Sequence, residues 1–367
     1  MRKSIFPTDY YGRHASSPSI YIHHLYAQQH TTTTTTTSLH NFHPISLIDK
    51  ASDFVTLSVI AVILLLSLVS IFCIFHLHRK SRASLHLRSF NNLWAVRLLL
   101  VLFVSCWAVN EILRLDFIRQ RFLFTFFPTL TFSKQDHLCK LQVVLSLGFL
   151  EPGFLVTLLY LINVSIKQQN PAKKGSVLMV IVMSLPPLIL QIIFLFFTPL
   201  KEQLPWVMTR TSLFSVDGFG NNRMICTYPL LASILFCVFA IVYSMGLLVA
   251  CWQVVSLVIN KTIRIRINML GLTVMMALLI QTTFLGAESL WMPEDIGFGG
   301  VSLGLFVSVA VCATVGEIVL VIKPIMEALE TGRHCSGQLN HRLQQAADGG
   351  GGGRWSAKRP LPNAHSG

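Results

Sequence analysis

The sequence predicts an all-α integral membrane bundle of seven helices, with the N-terminus outside and the C-terminus in the cytoplasm. Three observations carry that prediction. Hydrophobic residues make up 53% of the 367 residues and charged ones only 12%, more apolar side chain than a soluble domain of this size can hide from water. Seven apolar runs are long enough to cross about 30 Å of hydrocarbon at about 1.5 Å per residue. The basic residues gather in short clusters beside those runs, where they meet anionic lipid headgroups. A net charge of +13 would hint at nucleic acid in a soluble chain, but this clustering points to the lipid surface, and no nucleic-acid partner is expected.

Residues 1–53 read as a disordered extracytoplasmic tail, with seven consecutive threonines at 31–37 and little apolar content. Six histidines precede position 50, including His23 and His24. Their irregular spacing favours a solvated tail over a metal site. The tail contains nothing like the apolar core of a cleaved signal peptide, so the first span, 54–75, must itself engage the insertion machinery. Asp49, Lys50 and Asp53 precede it, while Arg79, Lys80, Arg82 and Arg88 follow it. The more positive flank stays in the cytoplasm.

The remaining spans are placed at 93–113, 141–162, 177–197, 230–258, 268–290 and 299–322, completing a transmembrane domain over 54–325. Loops 76–92, 163–176 and 259–267 then lie inside, with 10 Lys or Arg in 40 residues, against 8 in 67 residues of outer loop. That bias has the sign the orientation requires. Loop 114–140 runs against it with five basic residues. Within that loop, 122–132 (FLFTFFPTLTF) is too short to cross and contains Pro128, so it reads as an interfacial piece. Residues 326–367, with five glycines at 349–353, read as a mostly disordered cytoplasmic tail.

Of the eight cysteines, Cys73, Cys106, Cys237, Cys251 and Cys312 lie inside spans and read as small packing residues. Cys335 falls in the cytoplasmic tail, as a reduced thiol or a palmitoylation site. Cys139, at the outer mouth of span three, and Cys226, just before span five, both lie on the oxidising side. A disulfide between them would tie the 198–229 loop across the outer ends; two independent thiols are the alternative.

Seven spans, an outer N-terminus and this cysteine placement resemble the plan of G-protein-coupled receptors. The segments NNLWAVRLLLVLF, LCKLQVVLSLGFLEPGFLVTLLYLINVS and RMICTYPLL are also similar to a group of plant seven-transmembrane proteins described as receptor-like, a likeness covering most of 54–325. The switch motifs of the large receptor family are absent. Span three ends Leu161-Ile162-Asn163-Val164 instead of Asp-Arg-Tyr, span six has Leu279-Ile280-Gln281-Thr282 without Cys-Trp-x-Pro, and span seven ends Val321-Ile322-Lys323-Pro324 instead of Asn-Pro-x-x-Tyr.

The residues that stand out chemically are charged groups in or near lipid. Glu151 lies ten residues below Leu141, about 15 Å down and near the midplane. Beside it Pro152 has no N–H and crowds the carbonyl of Gly148, so a kink is expected there, with Gly148 and Gly153 tolerating the bend. A protonated Glu151 could donate to nearby backbone, to Gln191 or to Gln281, as a stitch between helices or as a proton relay or ligand contact. Arg97 and Glu317 lie at similar depth near the inner face, either paired with each other or, for Arg97, snorkelling to headgroups. Glu111 and Glu288 read as ordinary interfacial acids. Gly300, Gly304, Ser308, Cys312 and Gly316 place a small residue every four positions along span seven, for close packing within the bundle or across a dimer.

No histidine lies inside a predicted span, there is no phosphate-binding Gly-Lys-Ser/Thr loop, and no inverted repeat is evident. Zinc hydrolysis, ATP-driven pumping and repeat-built transport are therefore not expected. The expectation is a non-enzymatic membrane protein without cofactor or metal, receptor-like or a scaffold, in the plasma membrane or an endomembrane. Its partners would be the bilayer, an unidentified ligand and a cytoplasmic protein at 163–176 and 259–267. A small transporter or proton-linked carrier using Glu151 is the alternative.

Overall fold

The computed structural model describes residues 42–83, 93–115, 132–167, 173–196, 205–216, 222–258, 260–291 and 297–330. The chain divides into two units, Met1–Asp49 and Lys50–Gly367. Only residues 42–49 of the first are described, as the opening turns of a helix, and the account below concerns the second. The threonine run, the glycine run, Cys335 and all of 122–132 except Phe132 lie outside the described residues.

Seven helices are long and apolar enough to cross a membrane. The first is α1 (Phe42–Ala83) and the second α2 (Trp94–Ile112). The third is composite: α3 (Phe132–Val143), a π-helical segment (Val144–Leu150) and α4 (Glu151–Lys167). Then follow α5 (Lys173–Phe196), a short α6 (Trp206–Thr209), α7 (Leu230–Leu257), α8 (Lys261–Leu290) and α9 (Phe298–Glu317). After α9 a second π segment (Ile318–Ile322) continues into helix as far as Glu330.

Several helices outrun the apolar stretches that predicted them. Hydropathy marks the part thick enough to match lipid, whereas the helix itself persists as long as its backbone bonds are made. Thus α1 starts at Phe42, ahead of position 54. Helix α8 starts at Lys261, ahead of 268, because Asn260 caps it: Asn260 Oδ1 accepts the Thr262 N–H at 3.0 Å.

One element departs from the all-α expectation. Strands β1 (Ser212–Val216) and β2 (Asn222–Cys226) pair antiparallel, Ser212 opposite Cys226 and Val216 opposite Asn222. The sequence between the two runs includes Asp217-Gly218, a pair favoured in hairpin connections that hydropathy passes over.

The composite third helix is the central one: 72% of its apolar window is buried, against 17% for α5. Glycines let its neighbours close on it. A Cβ at Gly316 would lie 3.2 Å from Leu158 and 3.3 Å from Phe154, and one at Gly148 would lie 3.3 Å from Gln191. Gly304 faces the Phe284 ring, and Ser308 and Cys312 are buried. The small-residue stripe therefore packs inside the bundle along most of its length, while Gly300 at its start is exposed. The outward faces are apolar, with Leu65, Phe72, Leu178, Val242, Met245 and Trp252 all exposed. That is far more uncovered apolar surface than a soluble monomer shows.

Candidate functional site: a buried polar network

The site begins at the proline. Pro152 cannot donate to the carbonyl four residues back, and the helix answers by widening before it: the Glu151 N–H reaches five residues back to the Ser146 carbonyl. The expected disturbance at Gly148, Pro152 and Gly153 is thus a π segment over Val144–Leu150. The extra residue in the turn rotates Ser146 onto the same side as Glu151. Gly153 is required as well, since a Cβ there would collide with the Phe103 ring of α2.

Glu151 is 5% exposed, and its two carboxyl oxygens are used differently. Gln281 Nε2 of α8 donates to Oε2, while Ser146 Oγ lies 2.9 Å from Oε1. The same Ser146 Oγ lies 3.2 Å from Glu111 Oε1 of α2. Just past the end of α2, Arg114 Nη1 stands 3.9 Å from Glu111 Oε2. Arg114 Nη2 donates to Glu288 Oε1 of α8 and, at 2.7 Å, to Ser302 Oγ of α9. The guanidinium also lies over the Tyr228 ring, 4.8 Å from its centre. Burial alone works against the Arg114 charge, but Glu288, then Tyr228 and Glu111, outweigh it and raise its pKa above the ordinary guanidinium value. One connected set of polar side chains thus joins α2, the third helix, α8 and α9.

Glu111 and Glu288 correct a prediction. Read as interfacial acids in contact with water, they are 4% and 0% exposed. Their position near helix ends does not put them in solvent, because the connection after α2 carries Arg114 inward between them. Arg114 itself was missed: on the sequence it is one of five basic residues in a loop. The i, i+3 spacing of Glu111 and Arg114 was the available signal.

Over this end of the bundle sits a cap. Cys139 of α3 and Cys226 of β2 are joined in a disulfide, their Cα atoms 5.3 Å apart. Asp136 Oδ1 accepts from Thr211 Oγ1 at 3.1 Å and from Ser212 Oγ at 2.8 Å, tying the hairpin to α3 again. Arg210 Nη2 donates to the carbonyls of Ser289 and Trp291 at 3.0 and 3.1 Å, holding the end of α8. Free cysteines among the described residues are Cys73, Cys106, Cys237, Cys251 and Cys312.

Two small cavities flank Glu151, each with room for about one water molecule. One lies between the third helix, α8 and α9, walled by Leu278, Gln281 and Cys312. The other lies between α2, the third helix and α9, walled by Trp107, Leu150 and Ala313.

The other predicted residues lie elsewhere. Gln191 does not reach Glu151; its Nε2 donates to the Ala232 carbonyl at 3.2 Å, linking α5 to α7. Arg97 and Glu317 are not paired. Glu317 Oε2 accepts from Ser67 Oγ of α1 at 3.4 Å, and Arg97 Nε finds no hydrogen-bond partner among the described residues. Equal depth did not bring them together, because α1 supplies the polar neighbour at that turn of α9. Among the described residues no cluster of His, Cys, Asp and Glu is arranged to hold a metal.

A family model described as "Uncharacterised conserved protein UCP031277" matches residues 43–336, which span every residue of the network. No curated protein matches the chain.

Proposed function

The chain belongs to the family described as Uncharacterised conserved protein UCP031277, and from its polar network we propose a seven-span membrane protein with a receptor-like signalling role and no catalysis. In this reading the N-terminus is outside and the C-terminus cytoplasmic, in the plasma membrane or an endomembrane. The basic bias of loops 76–92, 163–176 and 259–267 supports that orientation, as does a disulfide at the opposite end, where an oxidising compartment is needed. The likeness to plant receptor-like seven-span proteins fits the same plan. Loops 163–176 and 259–267 are the surfaces offered to a cytoplasmic partner.

One observation favours signalling over transport: the network is one-sided. From Glu151 it runs to Arg114 and Glu288 beneath the disulfide cap. Toward the other end the interior holds Leu158, Ile162, Leu247, Val274 and Val321, all fully or almost fully buried, and a separate polar pair, Glu317 and Ser67, with no hydrogen bond to the network among the described residues. The buried Thr157 there is satisfied by its own helix, donating to the Gly153 carbonyl at 2.6 Å. A carrier needs polar groups that can face either side in turn. A receptor needs a rearrangeable set of contacts between helices, biased from one side.

Reconstitution tests this. In sealed vesicles with an imposed proton gradient, the protein should pass no sustained proton or coupled solute flux. Flux abolished by Glu151→Gln would overturn the reading in favour of a carrier.

A further inference from the structure

We propose that the ends of α1 and α2 away from the disulfide hold one anionic phospholipid, its phosphate between Arg97 and Arg82 and an acyl chain along Phe75 and Phe72; the proposal rests on the membrane-spanning reading above and not on signalling. Arg97 makes no hydrogen bond and no ion pair with any described residue, and its Nε is closed off from solvent. The first turn of α2 holds no acid, and Leu93 supplies no side-chain cap. Nothing at this helix end competes for the guanidinium. A charge left uncompensated within a span is costly, so its counter-charge has to come from outside the described chain. At the edge of the hydrocarbon the anion at hand is a lipid phosphate, which the guanidinium fork fits.

The contacts of α1 build the other half of the site independently. His78 packs on Trp94 with ring centres 4.5 Å apart, which fixes the end of α1 against the start of α2. Arg82 Nη2 lies 3.4 Å from His78 Nε2 and donates to it, leaving the rest of its fork for an anion. Side chains lean toward the N-terminus of their own helix. Because α1 ends where α2 begins, Arg82 leans into the bilayer and Arg97 leans out of it, and the two forks converge on the level of the His78–Trp94 pair.

The surface leading away from this pair distinguishes a lipid from a free phosphate. Phe72 and Phe75 are 70% and 46% exposed and precede His78 and Arg82 at helical spacing, so one apolar stripe of α1 runs from the bilayer to the basic pair. An acyl chain lies along it while the phosphate meets the guanidiniums. Two cations select a headgroup of net negative charge, because the ammonium of a zwitterionic one is repelled.

The test is native mass spectrometry of the full-length chain, delipidated in detergent and titrated with dioleoyl phosphatidic acid, dioleoyl phosphatidylcholine or inorganic phosphate. One phosphatidic acid should be retained about tenfold more tightly than phosphatidylcholine, and Arg97→Met should abolish that difference. Arg82→Gln should weaken phosphatidic acid by several-fold. In lipid-free detergent Arg97→Met should leave the melting temperature unlowered, since it removes a charge with no partner in the chain. Equal retention of the two lipids, or phosphatidic acid held as tightly by Arg97→Met as by the native chain, overturns the site. Inorganic phosphate that displaces phosphatidic acid at the same concentration overturns the lipid in favour of a free anion. Should Arg97→Met yield no folded protein, Arg82→Gln and Arg97→Lys replace it, and undiminished phosphatidic acid binding in both overturns the site. A native chain that stays in solution without detergent overturns the membrane reading and this site with it, whereas a detergent-dependent chain that fails to prefer phosphatidic acid overturns the site alone.

Discussion

Glu151 and Lys323 occupy equivalent backbone positions. Each stands directly before a proline, and each sends its N–H five residues back, to the carbonyls of Ser146 and Ile318. Both π segments thus accommodate a proline inside a long helix, and both border a buried acid, Glu151 after the first and Glu317 before the second. At Pro152 the device has a chemical consequence, because the widened turn sets Ser146 beside Glu151.

Replacing Pro152 with Ala should therefore do more than restore a backbone bond. Closing the π turn to α rotates the preceding segment by about 100° relative to α4, carrying Ser146 away from Glu151. Spin-label distances between α3 and α4 should change. Unchanged distances would show that the proline does not hold the turn open.

Cys139→Ser and Cys226→Ser should each lower stability in detergent by about 2–4 kcal/mol. The double variant should cost no more than either single, since one bond is lost in all three. A double variant that costs the sum of the two would mean two independent thiols. Cys73, Cys106, Cys237, Cys251 and Cys312 should label as free thiols throughout.

Gly153→Ala forces a methyl into the Phe103 ring and should cost about 1–3 kcal/mol. Phe103→Leu in the same chain should recover part of that loss. No recovery would show that the close approach of α2 and α4 does not depend on this pair.

Tyr228 gives a pH signature. Its folded-state pKa lies well above the ordinary value, so burial of the neutral phenol contributes stability below the unfolded pKa of about 10 that is lost as pH rises beyond it. Tyr228→Phe should destabilise less at alkaline than at neutral pH. Equal effects at both would contradict the assignment.

The fold was legible where lipid imposes a length. Each of the seven long helices contains or closely matches an apolar run that thickness alone picks out. Topology singled out Cys139 and Cys226, which alone lay beyond the spans on one side, but left two independent thiols as the alternative; the structure joins them. Glu151, Pro152 and Gln281 were legible because a carboxyl, a helix breaker and an amide are each expensive in hydrocarbon. What the sequence hid depends on packing. Glu111 and Glu288 near helix ends look the same whether they face water or a neighbouring helix, and Arg114 lay just past the predicted end of span two. Glu317 found Ser67 rather than Arg97, a choice that depth cannot make. The hairpin is silent in hydropathy, because its strands of 5 residues each form no run long enough to span lipid.

Gln281, Glu151, Ser146, Glu111 and Arg114 form one connected network, and a double-mutant cycle between its two ends measures whether they act together. Side-chain contacts link Gln281 to Arg114 through the three residues between them, and Arg114 also reaches Glu288, which shares α8 with Gln281. Unfolding free energies for Gln281→Leu, Arg114→Met and the double variant should reveal a coupling of about 0.5 kcal/mol or more, as expected within one hydrogen-bonded network. Single effects that add to within about 0.3 kcal/mol would mean two separate polar contacts and would contradict it.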